Sequence, residues 1–165
     1  NIESAVPSSC AIQWVEGHTL LHTDDLPFEI DYLPKVFTPF RKKVEKEVDV
    51  REPVSAPSKI SWSTHVVNTP WQEALETSQL STQAGDWTSD TRSVLPFKGG
   101  ESAGRARLQE YFWEGDHLKV YKNTRNGLLG ANYSSKFSPW LANGCISPRR
   151  IWSEVKRYER ERVSN

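Results

Sequence analysis

The spacing of apolar positions changes several times along the chain, and each change predicts an element. Residues 10–15, CAIQWV, form a short apolar run ended by Glu16-Gly17, the pattern of a strand and its turn. Thr19 to His22 read as a second short strand, and Asp24 and Asp25 before Leu26-Pro27 as turn residues. From Thr38 the period becomes helical: Phe40, Val44 and Val48 recur every four residues, Thr38 stands at the cap and Pro39 at the first helical position. Lys42, Lys43, Glu45, Lys46 and Glu47 fall on its outer face, as mixed-sign surface pairs do.

Residues 51–97 hold no sustained period and are rich in Pro, Ser and Thr, the composition of a linker. Trp62, Trp71 and Trp87 are expected to pin it to a surface, with a helical stretch over Pro70 to Thr77 as one contact. After Gly99-Gly100 a helix returns. Ala103, Leu108, Tyr111 and Phe112 form its broad apolar face, Gly104 allows close packing, and Gly115 ends it. GGESAG fits neither the dinucleotide nor the P-loop fingerprint, so the paired glycines are read as a helix start. Asp116 is the expected cap of a helix running to about Arg125 and stopped by Asn126-Gly127, with Tyr121 and Arg125 on one face. A short helix carries Trp140 and Leu141 and closes at Gly144. A last one, from Ser147, repeats Ile151, Val155, Tyr158 and Arg162 on one side.

Composition adds a core and a charge gradient. At 165 residues, with 36% apolar content, seven Trp, five Tyr and six Phe, the chain has enough apolar surface for one domain. Its 21 basic and 21 acidic residues cancel overall, but residues 1–50 carry 5 Lys/Arg against 9 Asp/Glu, whereas residues 98–165 carry 13 against 7. The positive C-terminal part suits a phosphate-bearing partner, either cofactor or nucleic acid. Cys10 and Cys145 lie outside any metal-ligand spacing, which suits a reducing compartment. His18 and His22 are four apart, but that spacing needs a helix to bring two ligands together and the local residues favour extended chain. No apolar run approaches the roughly 18 residues of a membrane span. The chain opens on Asn1 and closes on RYERERVSN without a turn signal, so it is expected to be a stretch of a longer polypeptide.

The candidate chemistry concentrates in Tyr121 to Arg149. Ser138-Pro139 and Ser147-Pro148 each place a capping hydroxyl before a proline suited to the first helical position. Such starts leave backbone N–H groups free at the positive end of a helix dipole, where a phosphate or pyrophosphate can bind. Ser134, Ser135 and Lys136 lie just upstream and can add hydroxyl donors and an ammonium. On the residues alone, two ordinary capped helices remain an equal reading.

The string TRNGLLGANYSSKFSPWLANGCISPR resembles the flavin-phosphate segment of the photolyase and cryptochrome family, in its DASH-type branch; GGESAGRARLQEYFW, EVKRYERERVSN and, near the N-terminus, EGHTLLHTDDLPF resemble the same branch. The resemblance implies a mixed α/β and then mainly α fold. Residues 1–50 would end a Rossmann-like α/β antenna domain, 51–97 would be the interdomain linker, and 98–165 would begin the all-helical FAD-binding domain. It implies FAD contacts at Tyr121, Ser134, Ser135, Lys136, Phe137 and Ser138, and a DNA-backbone contact at Arg125. It further implies a folate antenna, methenyltetrahydrofolate, and a monomeric protein off the membrane, cytoplasmic in a bacterium or organellar in a plant. The implied activity of the complete protein is a lyase reaction, deoxyribodipyrimidine photolyase: blue-light repair of cyclobutane pyrimidine dimers, preferably in single-stranded DNA. This stretch alone is not expected to be active, and the family's electron-transfer tryptophans would lie beyond Asn165. A blue-light receptor that binds FAD without repairing DNA, and a flavin-free helical nucleic-acid-binding module, are the rival readings. Asn143 departs from the bulky apolar residue of DASH-type sequences, which is expected to loosen local packing.

Overall fold

The computed structural model describes residues 5–61 and 90–163. The tryptophans at 62, 71 and 87 and the helix expected over 70–77 lie outside the described residues.

The N-terminal part is extended chain punctuated by two 3-10 turns, Thr23–Asp25 and Ile30–Tyr32, before helix α1, Phe37–Glu47. Among the described residues there is no strand, so the expected strands at 10–15 and 19–22 are not formed and the α/β character expected over 1–50 does not appear. A strand exists only as part of a ladder, and the apolar run at 10–15 finds no partner edge here; Val15 is 78% exposed. Helix α1 starts at Phe37 after an extended Val36, without a side-chain cap, so Thr38 is inside the helix instead of capping it. Its buried side is Val44, with Phe40 stacked on Phe28 at 5.8 Å. Lys43 spans the same ring at 4.6 Å and donates to the Pro27 carbonyl at 3.0 Å, tying α1 to the loop before it.

Helix α2, Glu101–Gln109, follows Gly100, whose φ of +91° is tolerated by glycine because it has no Cβ. The helix continues into a π turn, Glu110–Glu114, closed by the Gly115 N–H donating to the Glu110 carbonyl at 2.8 Å. The core is built on this continuous element. Tyr111 and Phe112 are fully buried and pack with Leu108, Phe137, Trp140, Ile146 and Tyr158. Gly104 permits the approach of the next helix, since a Cβ there would lie 2.9 Å from Ile146 Cγ2 and 3.1 Å from Trp140 Cγ. Trp140 buries its indole at the cost of one N–H, which is met by the Lys98 carbonyl at 2.8 Å.

The helix expected from Asp116 to Arg125 is split into a 3-10 turn, His117–Val120, and one α turn, α3, Tyr121–Thr124. Helix α4 is Ser138–Ala142 and α5 is Pro148–Tyr158, which continues through a π turn, Glu159–Val163. Asn143 does not loosen α4: its side-chain amide donates to the Pro139 carbonyl at 2.8 Å and closes the helix end. On α5 Ile151, Val155 and Tyr158 pack against the core. Its buried Glu154 is satisfied by the Trp113 indole N–H at 3.1 Å and by Arg150 at 2.9 Å.

Asp116 does not cap. Its backbone is left-handed, φ +52°, and its side chain turns instead to α5, accepting from the Tyr158 hydroxyl and from Arg162 at 2.8 Å. Arg162 also donates to the Trp113 carbonyl at 2.9 Å, so the C-terminal turn is clasped to the π turn of α2. The Tyr158 hydroxyl, followed by Arg162, holds the Asp116 carboxyl below the usual carboxylate range, while burial and Asp116 push Tyr158 up to about 12. A carboxylate depressed in the folded state stabilises above its unfolded pKa, about 3.9, and that stabilisation disappears as pH falls through the folded value. In the complete protein, Asp116→Asn should lower the melting temperature at pH 7, and the gap to the parent should narrow steadily towards pH 3. A gap independent of pH in thermal denaturation would show that the ionised Asp116 contributes nothing.

Candidate functional site

The candidate site is the loop between α3 and α4, and three interactions set its shape. The first is a ring over two glycines. Tyr133 lies so close to Gly127 and Gly130 that a Cβ would fall 2.2 Å and 2.6 Å from its ring atoms, so the loop can fold back only because both positions lack a side chain. Thr124 at the end of α3 fastens the same residue by donating from its hydroxyl to the Tyr133 carbonyl at 3.0 Å.

The second interaction comes from behind the loop. Arg107 of α2, only 5% exposed, donates to the Ala131 carbonyl at 2.9 Å, the Asn132 side-chain oxygen at 2.8 Å, and the Ser135 and Ser134 carbonyls at 3.1 Å and 3.4 Å. Its remaining partner is Glu110. The third is Phe137, buried edge-on against Tyr111 and Phe112 at centroid distances of 6.1 Å and 6.0 Å. This aromatic anchor sets where the serine cluster can stand.

Between these anchors the backbone turns sharply. Lys136 has φ +54°, and Phe137 follows in the right-handed region at φ −74°, ψ −13°. Successive residues of opposite handedness turn consecutive N–H groups towards one side, the geometry of an anion-binding nest. Among the described residues no group accepts from the N–H of Lys136, Phe137 or Ser138.

The two Ser-Pro starts differ. Ser147 is extended, φ −88°, ψ 146°, and its hydroxyl oxygen accepts from the Arg150 N–H at 3.1 Å, a true cap on α5. Ser138 is not a cap: α4 already begins on it, preceded by a right-handed Phe137, and its hydroxyl makes no capping bond. The Ser138 hydroxyl is exposed and available.

Ser135, Phe137 and Ser138 share the wall of a cavity of about 260 Å³ with Leu20, Ile151 and Trp152. Next to its Pro148 wall, Arg149 donates to the Leu20 carbonyl at 3.4 Å and keeps a buried Nη2 without a partner among the described residues. Ser134 and Lys136 belong to the same loop but not to this wall, and neither Tyr121 nor Arg125 lines it. Tyr121 is 36% exposed on α3, and Arg125 ends that turn by donating its N–H to the Tyr121 carbonyl at 2.9 Å, its side chain exposed.

Reading the sequence gave no role to Arg107, Arg149, Leu20 or Trp152. For Arg107 a signal existed: it falls on the stripe of Gly104, Leu108 and Tyr111, where a charged residue requires buried partners. No comparable signal marked Leu20, which comes to the cavity from 115 or more positions away along the chain.

No family model matches the chain. Curated relatives do. Cryptochrome DASH of Synechocystis sp. is 54% identical over 153 residues, covering 90% of this chain and 29% of that protein. Cryptochrome DASH, chloroplastic/mitochondrial, of Arabidopsis thaliana is 47% identical over 160 residues, 97% of this chain and 27% of that protein. Cryptochrome DASH of Xenopus laevis is 41% identical over 175 residues, covering this whole chain and 32% of that protein. The crystal structure of Synechocystis sp. PCC6803 cryptochrome superposes with a TM-score of 0.76 at 54% identity, over 90% of this chain and 30% of that one. The chain belongs to the photolyase and cryptochrome family, in its DASH branch.

The chain spans about three-tenths of the length of the curated relatives it matches. The DASH-type strings at 98–165 thus coincide with the best-ordered part of the fold, where the core and the serine loop meet. No helix among the described residues is long and apolar enough to cross a membrane. The contrast between the two serines is testable in the complete protein. Ser147→Ala should lower unfolding stability by about 1 kcal/mol, the usual cost of a lost cap, and Ser138→Ala by less than about 0.5 kcal/mol. Equal losses in denaturant titration would show that both serines cap.

Proposed function

We propose that this chain is the part of a DASH-type photolyase or cryptochrome that grips the phosphates of FAD and carries one contact to DNA. The observation that supports it is the serine loop, where the N–H groups of Lys136, Phe137 and Ser138 are turned to one side beside free hydroxyls. That donor set fits a pyrophosphate: several N–H and O–H donors, a lysine in the loop, and no carboxylate among residues 134–138 to repel it. On this reading Ser134, Ser135, Lys136, Phe137 and Ser138 hold the phosphates, and Tyr121 contacts the cofactor from α3.

The reaction proposed for the complete protein is blue-light repair of cyclobutane pyrimidine dimers in single-stranded DNA. Bound FAD supplies the light-driven electron transfer. The residues of this chain retain it and keep its phosphate end fixed while the damaged bases are presented elsewhere in the protein. Arg125, exposed at the end of α3 with no ion pair among the described residues, is placed for a DNA phosphate, beside the exposed Lys122. A folate antenna, a monomeric state and a cytoplasmic or organellar location belong to the same proposal.

Repair of a thymine dimer in a single-stranded oligonucleotide under blue light, by the complete protein, tests the reaction. An FAD-bound protein with no repair would indicate a photoreceptor. For the cofactor loop, the Ser134→Ala, Ser138→Ala double variant should weaken FAD retention about ten-fold or more. Full occupancy after extensive dialysis would count against the loop.

Arg125→Ala should leave flavin absorbance intact and weaken DNA binding equally for all sequences. Losing one phosphate contact should make the slope of log affinity against log salt shallower by about 0.7 on single-stranded DNA. An unchanged slope would remove Arg125 from the DNA interface.

A further inference from the structure

Arg107 presents an unusual combination: a guanidinium almost wholly buried, whose partners are largely backbone carbonyls of a loop more than twenty positions away. Burying this charge is costly unless its donors are met, and only one carboxylate, Glu110, offers a counter-charge. The other donors go to Ala131, Asn132, Ser134 and Ser135, so the loop itself supplies most of the compensation.

This arrangement has a directional consequence. In a planar trans peptide the carbonyl of one residue and the N–H of the next point opposite ways. Drawing the carbonyls of Ala131, Ser134 and Ser135 towards the guanidinium therefore turns the N–H groups of Asn132, Ser135 and Lys136 away from it. The left-handed Lys136 and right-handed Phe137 then add the N–H groups of Phe137 and Ser138 to the outward set.

We propose that Arg107 is a positioning residue for the FAD phosphates: from behind the serine loop, it shapes the backbone so that the donors face outward before the cofactor arrives. It acts through the loop and does not touch the ligand. The inference rests on the reading of residues 134–138 as the phosphate grip. A lysine cannot substitute, because one ammonium with three donors cannot meet carbonyls spread around a planar fork.

The test uses the complete protein stripped of flavin and titrated with FAD and with riboflavin, which shares the ring system and has no phosphate. The parent should bind FAD far more tightly than riboflavin. Arg107→Lys should weaken FAD roughly ten- to hundred-fold, the range for lost hydrogen bonds to a charged group, and leave riboflavin binding unchanged. Proportional loss of both ligands would make Arg107 a structural residue only, and retention of both would give it no role. Either result overturns the inference. A parent that binds the two ligands equally would instead overturn the phosphate reading, and this inference with it. Should Arg107→Lys fail to fold, Asn132→Ala removes one loop partner of the guanidinium and should lower FAD affinity several-fold with riboflavin unaffected. Unchanged FAD affinity in that variant would equally defeat the proposal.

Discussion

Phe137 belongs to two structures at once, and the arrangement of the C-terminal half depends on that. Its ring is enclosed by Tyr111 and Phe112 from the end of α2, while its backbone forms the turn that opens the serine loop. The loop is therefore anchored in the core rather than laid on it. Residues that hold a cofactor are usually in loops positioned by a rigid scaffold, and here the scaffold enters the loop itself. Arg107 reinforces the same junction on its polar side, so apolar packing and hydrogen bonding converge on one short segment.

A second clasp ties the far end of α5 back to α2. Asp116, Tyr158, Arg162 and Trp113 are brought together although their positions span almost fifty residues, and each polar group in the set meets another. At the N-terminal side the links are thinner. Arg149 reaches the Leu20 carbonyl, and Arg51 pairs with Asp25, so the extended segment is held to the helices by a few charged side chains. Leu20 nonetheless closes one side of the cavity shared by Ser135 and Ser138, which places a residue from the antenna side of the chain against the flavin segment.

What could be read from the sequence was mostly what is local. The Ser147-Pro148 start of α5, the glycine-led start of α2 and the recurring apolar positions of α1 all depend on neighbours within a turn or two, and they stand where expected within a residue or so. The α/β character did not appear, because an apolar run becomes a strand only when another strand lies beside it. Ser138 and Ser147 show the limit more finely. Both precede proline, but only Ser147 has the extended backbone that aims a hydroxyl at the following N–H groups. That dihedral is set by Phe137 entering the core, which no window around Ser138 contains. Asp116 was misassigned for the same reason, since its partners arrive from α5.

The π turn after α2 carries a consequence for how this helix can vary. Closing a bond over five residues instead of four accommodates one extra residue per turn. Deleting a residue between Glu110 and Glu114 would return the segment to ordinary α geometry and rotate everything after it by about 100°. Asp116 would then swing away from Tyr158 and Arg162, although none of the three had been altered. Length, as much as residue identity, is thus a conserved quantity of this segment's architecture: the helix counts its residues, and the clasp reads the count.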